Sequence, residues 1–177
     1  MKISAKDIQK LREKTNAGVM DCKEALMRAK GNFDKAMQVL REKGVAIAAK
    51  KSTRKVQEGR IESYVHLNNK IGVLVEVNCE TDFVSRCEDF KRLAKDLAMQ
   101  ITALNPLYVK KEDVPKDELE KHKGRLEDFY RQACLLEQLF IKDQAKTVRD
   151  YLTEVIAKVG ENILIRRFVR FQMGEQS

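Results

Sequence analysis

The chain has 177 residues, 43% of them hydrophobic and 35% charged, with a formal net charge of +8. That is enough apolar content to close a core and enough charge to ionise its surfaces heavily. No apolar run approaches the roughly 20 residues of a membrane span, and Met1-Lys2-Ile3-Ser4-Ala5-Lys6-Asp7 turns polar at once, unlike a signal peptide. No membrane association and a cytoplasmic location are therefore expected. Cys22, Cys79, Cys87 and Cys134 are widely spaced, with no C-x-x-C, and only His66 and His122 could join them. No metal site is expected, and reduced, partly buried thiols are. Residues 1–52 hold 13 Lys and Arg against 6 Asp and Glu, so nearly all of the basic excess sits there.

Ser4-x-x-Asp7 has the pattern of a capping box, with Ile8 and Leu11 following at helical spacing. The first helix should stop near Thr15-Asn16-Ala17-Gly18. Asp21-x-x-Glu24 opens a second, with Ala25, Leu26 and Ala29 on one face, and Lys30-Gly31-Asn32 breaks it. A third carries Phe33, Ala36, Met37, Val39 and Leu40, with Gly44 as its expected stop. Three short helices make a very small bundle, marginal in isolation. From Val45 the chain first reads as an Ala/Lys helix, then loses its apolar pattern at Ser52-Thr53-Arg54-Lys55. That stretch is the expected boundary between a helical domain, 1–52, and a second domain, 53–177.

A β-hairpin follows. Ile61, Ser63, Val65 and Leu67 alternate with Arg60, Glu62, Tyr64 and His66, and Asn68-Asn69 suits a tight turn. Ile71, Val73, Val75 and Val77 then alternate with Gly72, Leu74, Glu76 and Asn78, the period of a strand with one buried face. After a turn at Thr81–Arg86, a helix from about Glu88 carries Phe90, Leu93, Ala94, Leu97, Ile101 and Leu104 on one stripe. Asn105-Pro106 ends it. Pro115 can open another helix, with Leu119, His122, Leu126, Phe129, Ala133 and Leu136 on a face. Thr147-x-x-Asp150 caps a further helix, which Gly160 closes. The chain then reads as a strand, roughly 162–173. Its alternation places Ile163, Ile165, Val169 and Phe171 on one face and Leu164, Arg166, Phe168 and Arg170 on the other.

The expected class is α+β: a three-helix bundle, then a core domain whose three-stranded antiparallel sheet packs one face on helices. Phe168, Leu74 and Tyr64 are expected on the opposite face, either as scattered exposed residues or as a dimer surface.

No catalytic residue is assigned. Neither G-x-G-x-x-G nor G-x-x-x-x-G-K-[ST] occurs, and His66 and His122 read as surface or packing residues. An enzyme is not expected. Two segments are more informative. In Leu11–Leu26, a Gly-containing turn presents Val19 and Met20, which either plug the bundle core or dock a partner helix. In Thr81-Asp82-Phe83-Val84, a large ring sits at a strand-to-helix turn. Either the ring packs inward and Thr81 or Asp82 merely caps the helix, or a partner covers it, a burial worth roughly 2–4 kcal/mol.

Both segments resemble the elongation factor Ts family, the second from Glu76 to Arg86. So do Leu135-Leu136-Glu137-Gln138-Leu139-Phe140-Ile141-Lys142-Asp143 and the stretch from Val159 to Phe168. The resemblance covers essentially the whole chain, with Leu139 standing where the family often has Pro. It implies a ubiquitin-associated-like helical domain for 1–52 and an activity as guanine-nucleotide exchange factor for elongation factor Tu. It implies that Val19 and Met20 belong to a module docking on a helix of that partner. It also implies that Asp82 and Phe83, within Thr81–Val84, contact the partner near its nucleotide and magnesium, so that GDP leaves. No cofactor is implied. The chain resembles the short members of the family, which implies a homodimer formed through the sheets. A peptide-binding adaptor built on residues 1–52 is a competing reading. Direct nucleic-acid binding is not expected, because no aromatic interleaves with the Lys and Arg of residues 41–55.

Overall fold

Ser4 and Asp7 open the first helix by reciprocal bonds: Asp7 N–H donates to Ser4 Oγ at 3.2 Å, and Ser4 N–H to Asp7 Oδ2 at 3.3 Å. The computed structural model describes residues 3–15 and 17–175, so Met1, Lys2 and the Asn16 of the expected first turn lie outside the described residues. Two compact units emerge, Met1–Arg54 with Thr153–Asn162, and Lys55–Leu152 with Ile163–Ser177.

In the first unit α1 spans Ala5–Thr15, α2 Val19–Arg28 and α3 Phe33–Lys51. Cys22, Ala25, Leu26 and Ala29 recur at the spacing of one helical face, and that face is buried against Leu11 and Ala36. Phe33, Met37 and Leu40 pack around them. Asn32 caps α3, its Oδ1 accepting Lys35 N–H at 2.9 Å. The expected stop at Gly44 is corrected: α3 continues through it to Lys51. Gly44 is buried where α8 (Val148–Val159) comes close. A Cβ placed there would lie 3.7 Å from Thr153 Cγ2 and 3.9 Å from the Ala157 Cβ. Those are ordinary contact distances, so an added methyl fits, while glycine costs a helix interior up to about 1 kcal/mol relative to alanine. Gly44→Ala should therefore raise the stability of this unit by about 0.5–1 kcal/mol, read as a higher urea midpoint at unchanged slope. A lower midpoint would mean that the two helices cannot accept the methyl.

In the second unit β1 (Glu58–Val65), β2 (Ile71–Cys79) and β5 (Ile163–Gln172) form an antiparallel sheet in the order β1-β2-β5. Val73, Val75, Val77 and Cys79 are buried on one face of the central strand. That face lies under α5 (Glu88–Leu104), whose Phe90, Leu93, Ala94, Leu97 and Ile101 are buried in turn. Asn69 takes φ 56° in the hairpin turn, and Asn105 ends α5 at φ 44°, both in the left-handed region that asparagine tolerates. Gly59 (φ 151°) cannot carry a side chain, because a Cβ would stand 2.2 Å from the carbonyl oxygen of Val77.

Two expectations about the sheet faces are corrected. Tyr64 stands opposite Val73 and Ser63 opposite Leu74. Tyr64 therefore shares the helix-covered face, while Ile61, Ser63 and Val65 share the open face with Leu74. In β5 the pairing slips: Val77 faces Ile165, but Glu76 faces Arg167. Arg166 is the extra residue of a β-bulge, and one extra residue moves every later side chain to the other face. Ile163 and Ile165 are buried as expected, but Phe168 then follows them to the helix side opposite Val75. Leu164, Arg167, Val169 and Phe171 lie outward.

The single helix expected after Pro115 is two helices, α6 (Lys116–Lys121) and α7 (Leu126–Ala133), interrupted where Gly124 takes φ 93°. Beyond α7 come a short hairpin, β3 (Leu139–Phe140) and β4 (Asp143–Thr147), and then α8, capped reciprocally by Thr147 and Asp150. Two buried amides clip this region to α5. Gln100 Nε2 donates to Gln138 Oε1 at 3.2 Å and to the Leu139 carbonyl at 3.0 Å, and Gln138 Nε2 donates to the Gln132 carbonyl at 2.8 Å. The buried Asp96 accepts from Lys142 Nζ at 2.6 Å and from the Tyr151 hydroxyl at 2.9 Å. With these polar groups paired, burying them costs little.

Candidate partner-binding site

β2 ends at Cys79, and within three residues the chain enters α4, the one-turn helix Asp82–Arg86. Thr81 is its N-cap, with extended backbone and no side-chain cap bond. The turn is closed by other groups. Ser85 N–H and the Cys79 thiol both donate to the Thr81 carbonyl at 3.2 Å. Ser85 Oγ donates to the Asp82 carbonyl at 2.9 Å, and Cys87 N–H to the Val84 carbonyl at 3.0 Å. The Asp82 carboxylate is paired with the Arg86 guanidinium one turn on. Val84 is half-buried. Phe83 is 82% exposed, so its ring takes no part in the core.

Val19 and Met20 lie on the other unit, in the first turn of α2. Both are exposed, Met20 by 71%. The bundle interior is filled by Leu11, Cys22 and Leu26, so Val19 and Met20 are not its plug. Met27, 61% exposed, stands two helical turns from Met20 on the same side of α2, with Lys23 between. Its i, i+7 spacing is the signal by which the sequence could have placed it beside Met20. Lys43 ties the helix down from α3, its Nζ 2.8 Å from both Asp21 and Glu24. Those hydrogen bonds raise the Lys43 pKa above its ordinary value and lower that of Glu24.

The outward face of the sheet is a second apolar surface. Ile61, Val65, Leu74, Val169 and Phe171 are all exposed there, Phe171 by 68%. Gly72 lies between Val65 and Phe171 in the register, and a Cβ at Gly72 would meet nothing within 4 Å. At the other end the face turns polar, with Arg167 Nε 2.8 Å from Glu76.

Among the described residues no group of His, Cys, Asp and Glu is arranged to hold a metal ion. Cys22, Cys79 and Cys134 are buried and Cys87 is half-buried. Burial pushes the Cys134 thiol up to about 11, so it stays protonated and unreactive at neutral pH. Among the described residues no helix is long and apolar enough to cross a membrane.

Comparison with known proteins agrees with the four sequence segments. The family profile described as "Elongation factor TS" matches residues 2–123 and 121–175. The chain is 52% identical to "Elongation factor Ts" of Caldanaerobacter subterraneus subsp. tengcongensis over 98% of both chains. It is 49% identical to that of Thermodesulfovibrio yellowstonii over 99% of this chain and 98% of the relative. With that of Fervidobacterium nodosum the identity is 50%, over 99% of this chain and all of the relative. The first of these alignments runs to 195 positions against 177 residues here, so that relative holds residues with no counterpart in this chain. The two profile matches meet at 121–123, where α6 gives way to α7. The chain belongs to the elongation factor Ts family of translation elongation factors.

Proposed function

We propose that this chain is a guanine-nucleotide exchange factor for elongation factor Tu, acting in the cytoplasm during translation elongation. The observation that carries the reading is Phe83: a ring 82% exposed on a one-turn helix, braced from beneath by hydrogen bonds. Leaving such a ring in water is costly, and a partner that covers it recovers roughly 2–4 kcal/mol. In this reading the ring wedges into the nucleotide-binding domain of the GTPase beside its magnesium and phosphate contacts. Asp82 adds a polar contact, at the low cost of opening a solvent-exposed pair with Arg86. Thr81 and Val84 complete the contact segment.

The mechanism is linkage. A chain that weakens GDP binding has its own binding weakened by GDP to the same extent, so nucleotide and factor displace each other. The chain makes and breaks no bond, acts as no chemical catalyst and needs no cofactor. Release of labelled GDP from elongation factor Tu, measured with and without the chain, tests the proposal, and an unaltered rate would end it.

The exposed start of α2 is the second contact in this reading, with Val19 and Met20 meeting a helix of the partner. Met20→Asp should weaken complex formation by about tenfold, read by titration calorimetry, because a carboxylate replaces an apolar group in a desolvated contact. An unchanged affinity would remove α2 from the interface. We also propose that two copies associate through the outward sheet face, since water otherwise meets six apolar side chains, Leu164 among them, on one side of three strands.

A further inference from the structure

We propose that Cys79 is a positioning residue, whose buried thiol sets the turn that holds Phe83 out into solvent. A helix of five residues does not sustain itself, since nucleating one turn costs more backbone entropy than its first hydrogen bonds return. Phe83 cannot hold the turn, because its ring packs on nothing that would bury it. The Ser85 hydroxyl on the Asp82 carbonyl, the Cys87 amide on the Val84 carbonyl and the Asp82–Arg86 pair act within the turn itself. The Cys79 thiol ties the turn to the strand before it: it reaches the Thr81 carbonyl at 3.2 Å, the same distance as the Ser85 amide.

Cys79 is well placed for this role. It is fully buried, and its backbone lies opposite Glu58 of β1 and Ile163 of β5. A residue flanked by strands on both sides has little freedom to move, so the thiol ties the turn to the central strand of the sheet. Its contribution to exchange runs through Phe83 and so rests on the reading above. Its contribution to the turn does not.

Alanine and serine at this position separate donor from bulk. They are close in size, and only serine keeps a hydrogen to donate, its shorter C–O bond leaving the oxygen a few tenths of an ångström further from the carbonyl. Two readouts are needed. The first is hydrogen exchange at the Ser85 and Cys87 amides of the turn, with the Val75 and Val77 amides of β2 reporting that the sheet remains folded. In Cys79→Ala, protection of the turn amides should fall about fivefold relative to β2, the scale of one modest hydrogen bond. Cys79→Ser should bring it back to within about twofold of the parent.

The second readout is catalysed GDP release at varied factor concentration. The maximal rate should fall about fivefold in the alanine variant, with little change in the half-saturating concentration, and serine should restore it. Turn amides protected equally in alanine variant and parent, or serine and alanine variants behaving alike, would overturn the proposal. Should Phe83→Ala exchange as fast as the parent, the reading of Phe83 fails, while the amide measurement still decides what the thiol does.

Discussion

If the proposed exchange activity holds, Phe83→Ala should slow catalysed GDP release from elongation factor Tu by about tenfold or more, while thermal unfolding of the chain stays where it was. Both halves follow from the same exposure. With 82% of its surface in water the side chain supports no core, so its loss opens no cavity and stability should move by no more than about 0.5 kcal/mol. On the partner side, the ring is the one large apolar group that α4 presents. Losing roughly 2–4 kcal/mol of burial there exceeds the 1.4 kcal/mol that corresponds to a factor of ten. Phe83→Leu keeps much of the apolar area but not the flat ring and should fall between the two. Stopped-flow release of a fluorescent GDP, beside a circular-dichroism melt, measures both quantities. A parent-like rate in the alanine variant would remove the wedge from the mechanism, whatever the complex looks like.

Leu74→Glu should convert the proposed sheet-to-sheet dimer to monomers and leave the monomer folded. Leu74 lies on the outward face of the central strand, exposed within a single chain. A carboxylate there remains hydrated while the chain is alone. Closed under a second sheet it would be a buried charge without a partner, and the expected rise in dimer dissociation constant is about a hundredfold or more. Gly72→Phe tests the same face by shape, since a Cβ there meets nothing within 4 Å and the new ring would fill the hollow between Val65 and Phe171. Analytical ultracentrifugation across a concentration series reads both variants. A parent that sediments as a monomer throughout would end the dimer proposal.

The local signals were legible because short-range forces decide them. Ser4 with Asp7 and Thr147 with Asp150 cap their helices within four residues of chain, and Asn105 ahead of Pro106 ends α5 for reasons internal to those residues. The alternation of β2 and the apolar stripe of α5 named the two surfaces that bury each other. Gly44 misled, because glycine is a common helix stop, and here it marks the close passage of another helix segment. Helix α7 is separated from α6 by a turn at Gly124, although the apolar stripe runs on at helical spacing through both.

The amino-acid sequence alone determined the class of fold, the family, and the three apolar residues, Val19, Met20 and Phe83, that either fill a core or face a partner. It could not choose between those two fates, because hydrophobicity records the cost of contact with water and not the direction in which a side chain points. The tertiary structure excludes the first fate for all three by filling each interior with other residues and leaving these side chains exposed. It also decided which side of the sheet faces water. The bulge at Arg166 exists only as a mismatch with β2, and a strand's own alternation carries no record of where its neighbour slips by one residue.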